Sequence, residues 1–323
     1  MRDSLGREIN YMRLSVTDRC NLHCRYCMPD VPEHLPACDI LQRDELLRIC
    51  GLAVELGITR FKVTGGEPLV RGDCVKLIRA LKELPGVEQV TITTNGTLLP
   101  RYLDELCAAG IDGITISLDS LNPDTYEAIT DCDGAIVAEL RKTLDACCAA
   151  GIRTKVNAVL LEQNRQDILP LTELARTAPI DVRFIEQMPI GNGKNGIFVP
   201  SDEALCLLRQ SFPDLRETQA RRGNGPARYY ESAVLLGKIG IIDAVSNKFC
   251  ASCNRIRLTS IGWLKPCLCY DSGADLRKLL RSGASDGEIR SAMEQQILRK
   301  PDGHCFENTE SITERRTMAQ IGG

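Results

Sequence analysis

The sequence predicts an α/β protein whose parallel strands curl into a partial, incomplete TIM-like barrel followed by a C-terminal extension. Three observations predict it. Six β-prone stretches alternate with helix-periodic ones as far as residue 187, and such a series builds a parallel sheet with its helices outside, curled by right-handed crossovers. No GxGxxG follows the first strand, which weakens the runner-up, a flat doubly wound sheet. The residues with chemical potential gather where strands end, at the rim that carries the active site in parallel barrels.

Tyr11 to Thr17 is β-prone and runs directly into a loop holding Cys20, Cys24 and Cys27. Leu46, Leu47, Ile49, Leu52, Ala53 and Leu56 recur at helical spacing, and Gly57 closes that helix over 41–56. The rhythm continues as strand 60–64, helix 74–84, strand 87–94, helix 100–109 and strand 113–118. Helices within 123–150, strand 153–160, helix 167–177 and strand 181–187 complete it. From Pro200 the alternation stops. Arg221 to Ala227 is a loop by composition, and Tyr229 to Ile242 reads as a β-hairpin turning near Gly237 and Lys238. The expected division is therefore 1–199 for the barrel and 200–323 for a C-terminal region.

The chain has 323 residues, 43% hydrophobic and 26% charged, enough for one large domain or a domain with an appendage. The segment from Met1 to Asn10 lacks an apolar h-region, and no apolar run approaches the length that spans a bilayer. The expectation is a cytoplasmic protein with no membrane association. A count of 16 cysteines would suit a disulfide framework only in a small secreted domain, so it points here to a reducing compartment. A net charge of −3 argues against a nucleic-acid coat, so an anionic substrate has to meet a local basic pocket.

The spacing CxxxCxxC cannot turn all its cysteines to one face of a helix or strand. Thiolates from one short loop suit a [4Fe-4S] cluster that keeps one iron open, while a zinc site with His23 as an extra ligand stays open as an alternative. A second group follows at Cys250, Cys253, Cys267 and Cys269, where Cys269 could complete a zinc tetrahedron. The rim segments are Thr64-Gly65-Gly66-Glu67-Pro68, Thr93-Thr94-Asn95-Gly96 and Ser117-Leu118-Asp119-Ser120. Paired glycines permit a tight turn and close backbone approach to a ligand. Arg255 and Arg257 alternate on one strand, so both forks face the same way and suit phosphate oxygens. Arg13 and Lys155 sit among apolar neighbours in strands that read as buried, and a buried cation needs an anionic partner.

Taken together, TDRCNLHCRYCMP with its aromatic before the last cysteine, TGGEP, CxxCNRIRL and the terminal Gly-Gly resemble the GTP 3′,8-cyclase family of radical S-adenosylmethionine enzymes. The resemblance covers essentially the whole chain. It implies two [4Fe-4S] clusters and S-adenosyl-L-methionine as cofactors. Cys20, Cys24 and Cys27 would hold the first cluster, with Tyr26, Gly65, Gly66, Ser117 and Met188 around the S-adenosylmethionine. Cys250, Cys253 and Cys267 would hold the second, whose open iron would meet the guanine, leaving Cys269 a bystander. GTP would touch Arg13, Lys62, Thr93, Lys155, Arg255, Ile256 and Arg257, and the tail residues Gly322 and Gly323; Arg257 would act with the first three cysteines in catalysis.

The implied reaction takes hydrogen from C3′ of GTP with a 5′-deoxyadenosyl radical and joins C3′ to guanine C8, the first step of molybdenum cofactor biosynthesis. The implied partners are an external flavodoxin- or ferredoxin-like electron donor and a downstream cyclic pyranopterin monophosphate synthase, and a homodimer is compatible with the resemblance. One departure is Lys62, where the family usually has arginine; a fork becomes a point charge. The competing readings are another two-cluster radical enzyme that modifies peptides or proteins, and a non-catalytic electron carrier or zinc-organised binding protein.

Overall fold

The structure is a computed structural model that describes residues 1–323 except Asp30, Pro32, Glu33, Gly196 and Arg221. The Arg221 end of the expected loop therefore lies outside the described residues. Strands β1 (Tyr11–Ser15), β2 (Arg60–Thr64), β3 (Gln89–Thr94), β4 (Gly113–Ser117), β5 (Thr154–Leu160) and β6 (Asp181–Glu186) pair side by side, all parallel. Helices α1 (Arg43–Glu55), α2 (Cys74–Glu83), α3 (Leu99–Ala108), α4 (Pro123–Thr130), α5 (Ile136–Ala149) and α6 (Ile168–Thr177) fill the connections. Period-two alternation divides each strand. Phe61, Val63, Val90 and Ile92 are buried in the outer core, while Lys62, Thr91 and Thr93 face inward and line a cavity.

Residues beyond 200 extend this sheet at both edges. They form β7 (Arg216–Thr218), β8 (Arg228–Glu231), β9 (Ile239–Ile242), β10 (Arg255–Leu258), β11 (Trp263–Lys265) and β12 (Ala274–Asp275). The 12-stranded sheet runs β12-β11-β10-β1-β2-β3-β4-β5-β6-β9-β8-β7. β9 joins β6 and β10 joins β1, both in parallel, so they cover backbone edges that an incomplete barrel would otherwise expose. The expected hairpin is present as β8 and β9, antiparallel with Tyr229 opposite Gly240. Arg255 from one flank and Ile242 from the other line the same cavity as Thr93 and Thr115, so the sheet is strongly curled.

Four further helices, α7 (Ser201–Ser211), α8 (Leu276–Arg281), α9 (Asp286–Leu298) and α10 (Met318–Ile321), complete the described fold. α9 lies along α1, tied by ion pairs Arg48–Asp286 (2.7 Å) and Arg290–Glu55 (2.6 Å). A small second core of Ile190, Leu268, Phe306, Ile312 and Ile321 holds the C-terminal segment against the barrel. Among the described residues no helix is long and apolar enough to cross a membrane.

Candidate active site

Beyond Ser15 the chain swings over the rim in the loop of Cys20, Cys24 and Cys27. That loop is fixed from several sides. The N–H groups of Gly66 and Glu67 donate to Thr17 O (2.9 Å) and Arg19 O (2.8 Å), while those of His23 and Arg25 donate to Thr130 O and Ile129 O at the end of α4, each at 3.0 Å. The glycine pair follows from this packing. A Cβ on Gly65 would lie 2.5 Å from Thr17 O and one on Gly66 2.4 Å from Arg19 O, so a side chain at either position would push the loop off the rim. The Gly66 N–H is thereby committed to the loop, not free for a ligand. His23 does not line the cavity: its Nε2 sits 2.6 Å from Pro29 O and its Nδ1 3.9 Å from the Asp131 carboxylate. Among the described residues no group of three His, Cys, Asp or Glu side chains is drawn together as ligands of one metal ion.

The three cysteines face a cavity of about 270 Å³, with Tyr26, Gly65, Gly66, Ser117 and Met188 also in its wall. Burial pushes the Cys24 thiol well up, with the charges of Asp119, Cys27 and Cys20 adding to it, and pushes Cys27 up to about 12.

Two carboxylates that the sequence reading left without a role brace this rim. Glu67 accepts from Leu69 N–H (2.9 Å), Thr94 Oγ1 (2.8 Å) and Asn95 N–H (2.7 Å), stapling the ends of β2 and β3 together. Burial pushes its carboxyl up to about 7, with those hydrogen bonds pulling the other way. Asp119 accepts from Tyr26 OH (2.9 Å) and Val159 N–H (2.7 Å), and burial lifts it to about 6.

The inner face of the sheet is cationic. Arg13, Lys62, Arg183, Arg255 and Arg257 line the same cavity as the cysteines. Burial lowers Lys62 well below its usual value, followed by repulsion from Arg183, Arg13 and Lys155, and lowers Arg257 likewise, followed by Arg13 and Arg255. Lys62 Nζ and Arg183 Nη2 each donate to Thr115 Oγ1 at 3.2 Å, and the buried Nε atoms of Arg13 and Arg183 have no partner. Crowded, desolvated cations of this kind are stabilised by a multiply charged anion. Thr93 faces the cavity as expected.

Lys155 lines the cavity as expected, but it already has an anionic partner: its Nζ lies 3.2 Å from the Asp181 carboxylate and donates to Tyr229 OH at 2.9 Å, because the β5–β6 register sets Lys155 opposite Asp181. One expectation needs correction. Ile256, 1% exposed, points into the outer core between two inward-facing arginines, so its side chain does not reach the cavity. The tail does reach it. Gly323 lines the cavity and its carbonyl accepts from Arg13 Nη2, while Gly322 O accepts from Arg257 Nη1 at 2.9 Å.

The second cysteine group stands behind Arg255 and Arg257 and does not itself line the cavity wall. Cys250 and Cys253 precede β10, and Cys267 follows β11. Burial pushes the Cys250 thiol up, with Cys267 and Cys253 adding to it. Burial would raise Cys253 as well, but the charges of Arg255 and Lys300 and hydrogen bonds from Arg255 together hold it at about 6. Cys269 has a neighbour the sequence reading overlooked, Cys305, with the two sulfurs 3.2 Å apart.

Comparison with known proteins accounts for the combination. Residues 14–175 match the Radical SAM superfamily and residues 180–306 match Molybdenum Cofactor Synthesis C. The chain is 40% identical to the GTP 3′,8-cyclase of Clostridium perfringens (strain SM101 / Type A), with 100% of both chains covered. The chain belongs to the GTP 3′,8-cyclase family. Other members include those of Heliobacterium modesticaldum, 40% identical with 100% of both covered, and Peptoclostridium acidaminophilum, 42% identical over 99% of this chain and 98% of that one. Among solved structures, Streptococcus suis SuiB bound to S-adenosylmethionine superposes with TM-score 0.64 at 16% identity, covering 97% of this chain and 78% of that one. At that identity the likeness speaks for the shared curled sheet alone.

As a radical S-adenosylmethionine enzyme, a GTP 3′,8-cyclase family member carries a [4Fe-4S] cluster and S-adenosylmethionine, and the residues fit both. The three thiols share the cavity with Asn157, whose buried Oδ1 has no hydrogen-bond partner among the described residues and is ready to accept from a ligand hydroxyl or amine. Arg183 was findable from sequence by the alternation that exposed Lys155, and Glu67 from its place in the TGGEP string. Asp119 was findable from its place in the rim segment Ser117-Leu118-Asp119-Ser120, whereas Asn157 left no comparable signal.

Proposed function

We propose that this chain is a radical S-adenosylmethionine cyclase that converts GTP to (8S)-3′,8-cyclo-7,8-dihydroguanosine 5′-triphosphate, the first step of molybdenum cofactor biosynthesis. One observation carries the reading: a thiol loop and a wall of carboxylate-free cations face each other across a single cavity. Cys20, Cys24 and Cys27 hold the catalytic cluster, and Tyr26, Gly65, Gly66, Ser117 and Met188 surround S-adenosylmethionine. When bound, that cofactor supplies hydrogen abstraction from an unactivated ribose carbon, which no side chain can perform.

The chain's own work is binding, orientation and exclusion of water. Arg13, Lys62, Arg255 and Arg257, joined by Arg183, bind the triphosphate, and Thr93 stands nearby. Gly323 and Gly322 lie against Arg13 and Arg257, so the tail belongs to the same site. Lys155, held by Asp181, supports the pocket floor and reaches the substrate only in company with that carboxylate. Cys250, Cys253 and Cys267 hold a second [4Fe-4S] cluster, with Arg255 and Lys300 favouring the thiolate at Cys253 before any iron arrives. In this reading residues 1–199 carry the S-adenosylmethionine chemistry and 200–323 the second cluster and much of the GTP site. A cytoplasmic flavodoxin- or ferredoxin-like donor supplies electrons, a cyclic pyranopterin monophosphate synthase takes the product, and two chains form a dimer.

The test is anaerobic incubation of the reconstituted protein with 3′-deuterated GTP, S-adenosylmethionine and dithionite. The expected result is deuterium in 5′-deoxyadenosine together with a cyclised triphosphate. Formation of 5′-deoxyadenosine without deuterium would contradict the assignment.

A further inference from the structure

The C-terminal glycines enter the cavity at the end of a strap whose root is a buried ion pair. Lys265, the last residue of β11, pairs with Glu314, and both side chains are 0% exposed. Glu314 is held by more than the lysine. Its backbone N–H donates to Cys269 O (3.2 Å), and its Oε1 accepts the N–H groups of Arg315 (2.9 Å) and Arg316 (2.8 Å). Directly beyond, Thr317 and Gln320 form a capping box that starts α10, and Ala319 and Ile321 bury its inner face. α10 ends at Gly322 with φ +89°, where an added Cβ would lie 2.7 Å from both Ser15 Cβ and Thr64 Oγ1. The chain from Glu314 to Gly322 therefore has a fixed root, a capped helical turn and a tip wedged between β1 and β2.

A charged pair suits this task for a physical reason. An apolar contact would hold the strap but tolerate sliding, whereas a dry carboxylate held by Lys265, with Arg316 Nη1 3.5 Å from its Oε2, keeps these charges compensated at only one register. Its worth is register, not net stability. We propose that Lys265 and Glu314 are positioning residues for the cyclisation, a clamp that fixes the depth at which Gly322 and Gly323 reach Arg257 and Arg13. Neither touches the reacting atoms. The proposal rests on the reaction proposed above only in the product it reads.

The experiment uses the full-length, cluster-loaded protein with Glu314→Gln, which keeps an acceptor for Arg315 and Arg316 but loses the charge, and independently with Lys265→Met. Hydrogen exchange follows the amides of Gln320, Ile321 and Gly322, which bond back to Thr317 O and Met318 O, against those of Met12 and Leu14 in β1. Exchange at the tail amides is expected to rise about tenfold with the β1 amides unchanged. Cyclised product per 5′-deoxyadenosine is expected to fall about tenfold, with iron content and 5′-deoxyadenosine formation retained. A structural role alone would lower all of these together. Tail exchange at the wild-type rate in whichever variant folds, or an unchanged product ratio beside faster exchange, overturns the clamp. If the wild type makes no cyclised product at all, the functional reading falls, and the exchange comparison alone decides the clamp.

Discussion

The two cysteine groups look alike as strings and differ as environments. In the loop of Cys20, Cys24 and Cys27, burial leads and neighbouring carboxylate and thiol charges add to it, pushing the thiols up. At Cys253 the protein supplies positive charge: Arg255 and Lys300 outweigh burial and hold the thiol at about 6. The same arginine strand lines the cavity that holds the first three cysteines. The second site thus shares Arg255 with the proposed substrate pocket, while at Cys24 and Cys27 burial and neighbouring negative charge dominate. Spacing of cysteines reports that a metal group is held; only the neighbours report how ready the ligands are.

The sharpest break of this comparison is to remove one ligand from each group. Cys24→Ala should abolish 5′-deoxyadenosine formation and lose about half the iron, whereas Cys253→Ala should lose a similar share of iron yet still release 5′-deoxyadenosine without cyclised product. Iron analysis and chromatography of the products check both, and identical behaviour of the two variants would erase the distinction. Next in size, Arg257→Ala should weaken GTP binding about a hundredfold by calorimetry with iron content unchanged, since it removes a desolvated fork from a polyanion. Equal affinity would take Arg257 out of the pocket.

The smallest effect concerns Glu67 and the stability of the first loop. Its carboxyl is raised from 4.5 to about 7, so the folded state holds the proton more tightly than the unfolded chain does. That contribution is fully present below the unfolded value and is lost as pH rises through the folded one; at about 1.4 kcal/mol per pH unit it amounts to about 3 kcal/mol. Urea unfolding of the metal-free chain should therefore show stability falling across that window. Glu67→Gln, which cannot ionise, should flatten the fall, and parallel pH curves for the two proteins would show that Glu67 does not titrate there.

Much of the fold was legible because its signals are local. Alternation in Arg60–Thr64 and helical spacing in Arg43–Glu55 depend on neighbours a few residues away, and β1 to β6 emerged within a residue or two of expectation. Where the flanking strands pair was not legible, since β10 pairs with β1 across most of the chain, Arg13 opposite Arg257. The site divided the same way. Arg255 and Arg257 were readable by period two, and the same rule should have sent Ile256 outward. The partner of Lys155, Asp181, was not legible because it lies on the next strand, and Cys305 escaped because only tertiary packing brings it to Cys269. The glycines of TGGEP were read as ligand contacts, yet their first duty is to let Thr17 and Arg19 approach.

The most direct measurement is the pH profile of thiol alkylation in the metal-free chain, followed residue by residue by mass spectrometry. The account predicts that Cys253 reacts with a midpoint at about 6, and that Arg255→Ala moves this midpoint upward. Cys24, whose thiol is pushed well above 9.0, should react about a hundredfold more slowly at neutral pH. A common midpoint for Cys24 and Cys253, or one at Cys253 that ignores the loss of Arg255, would contradict it.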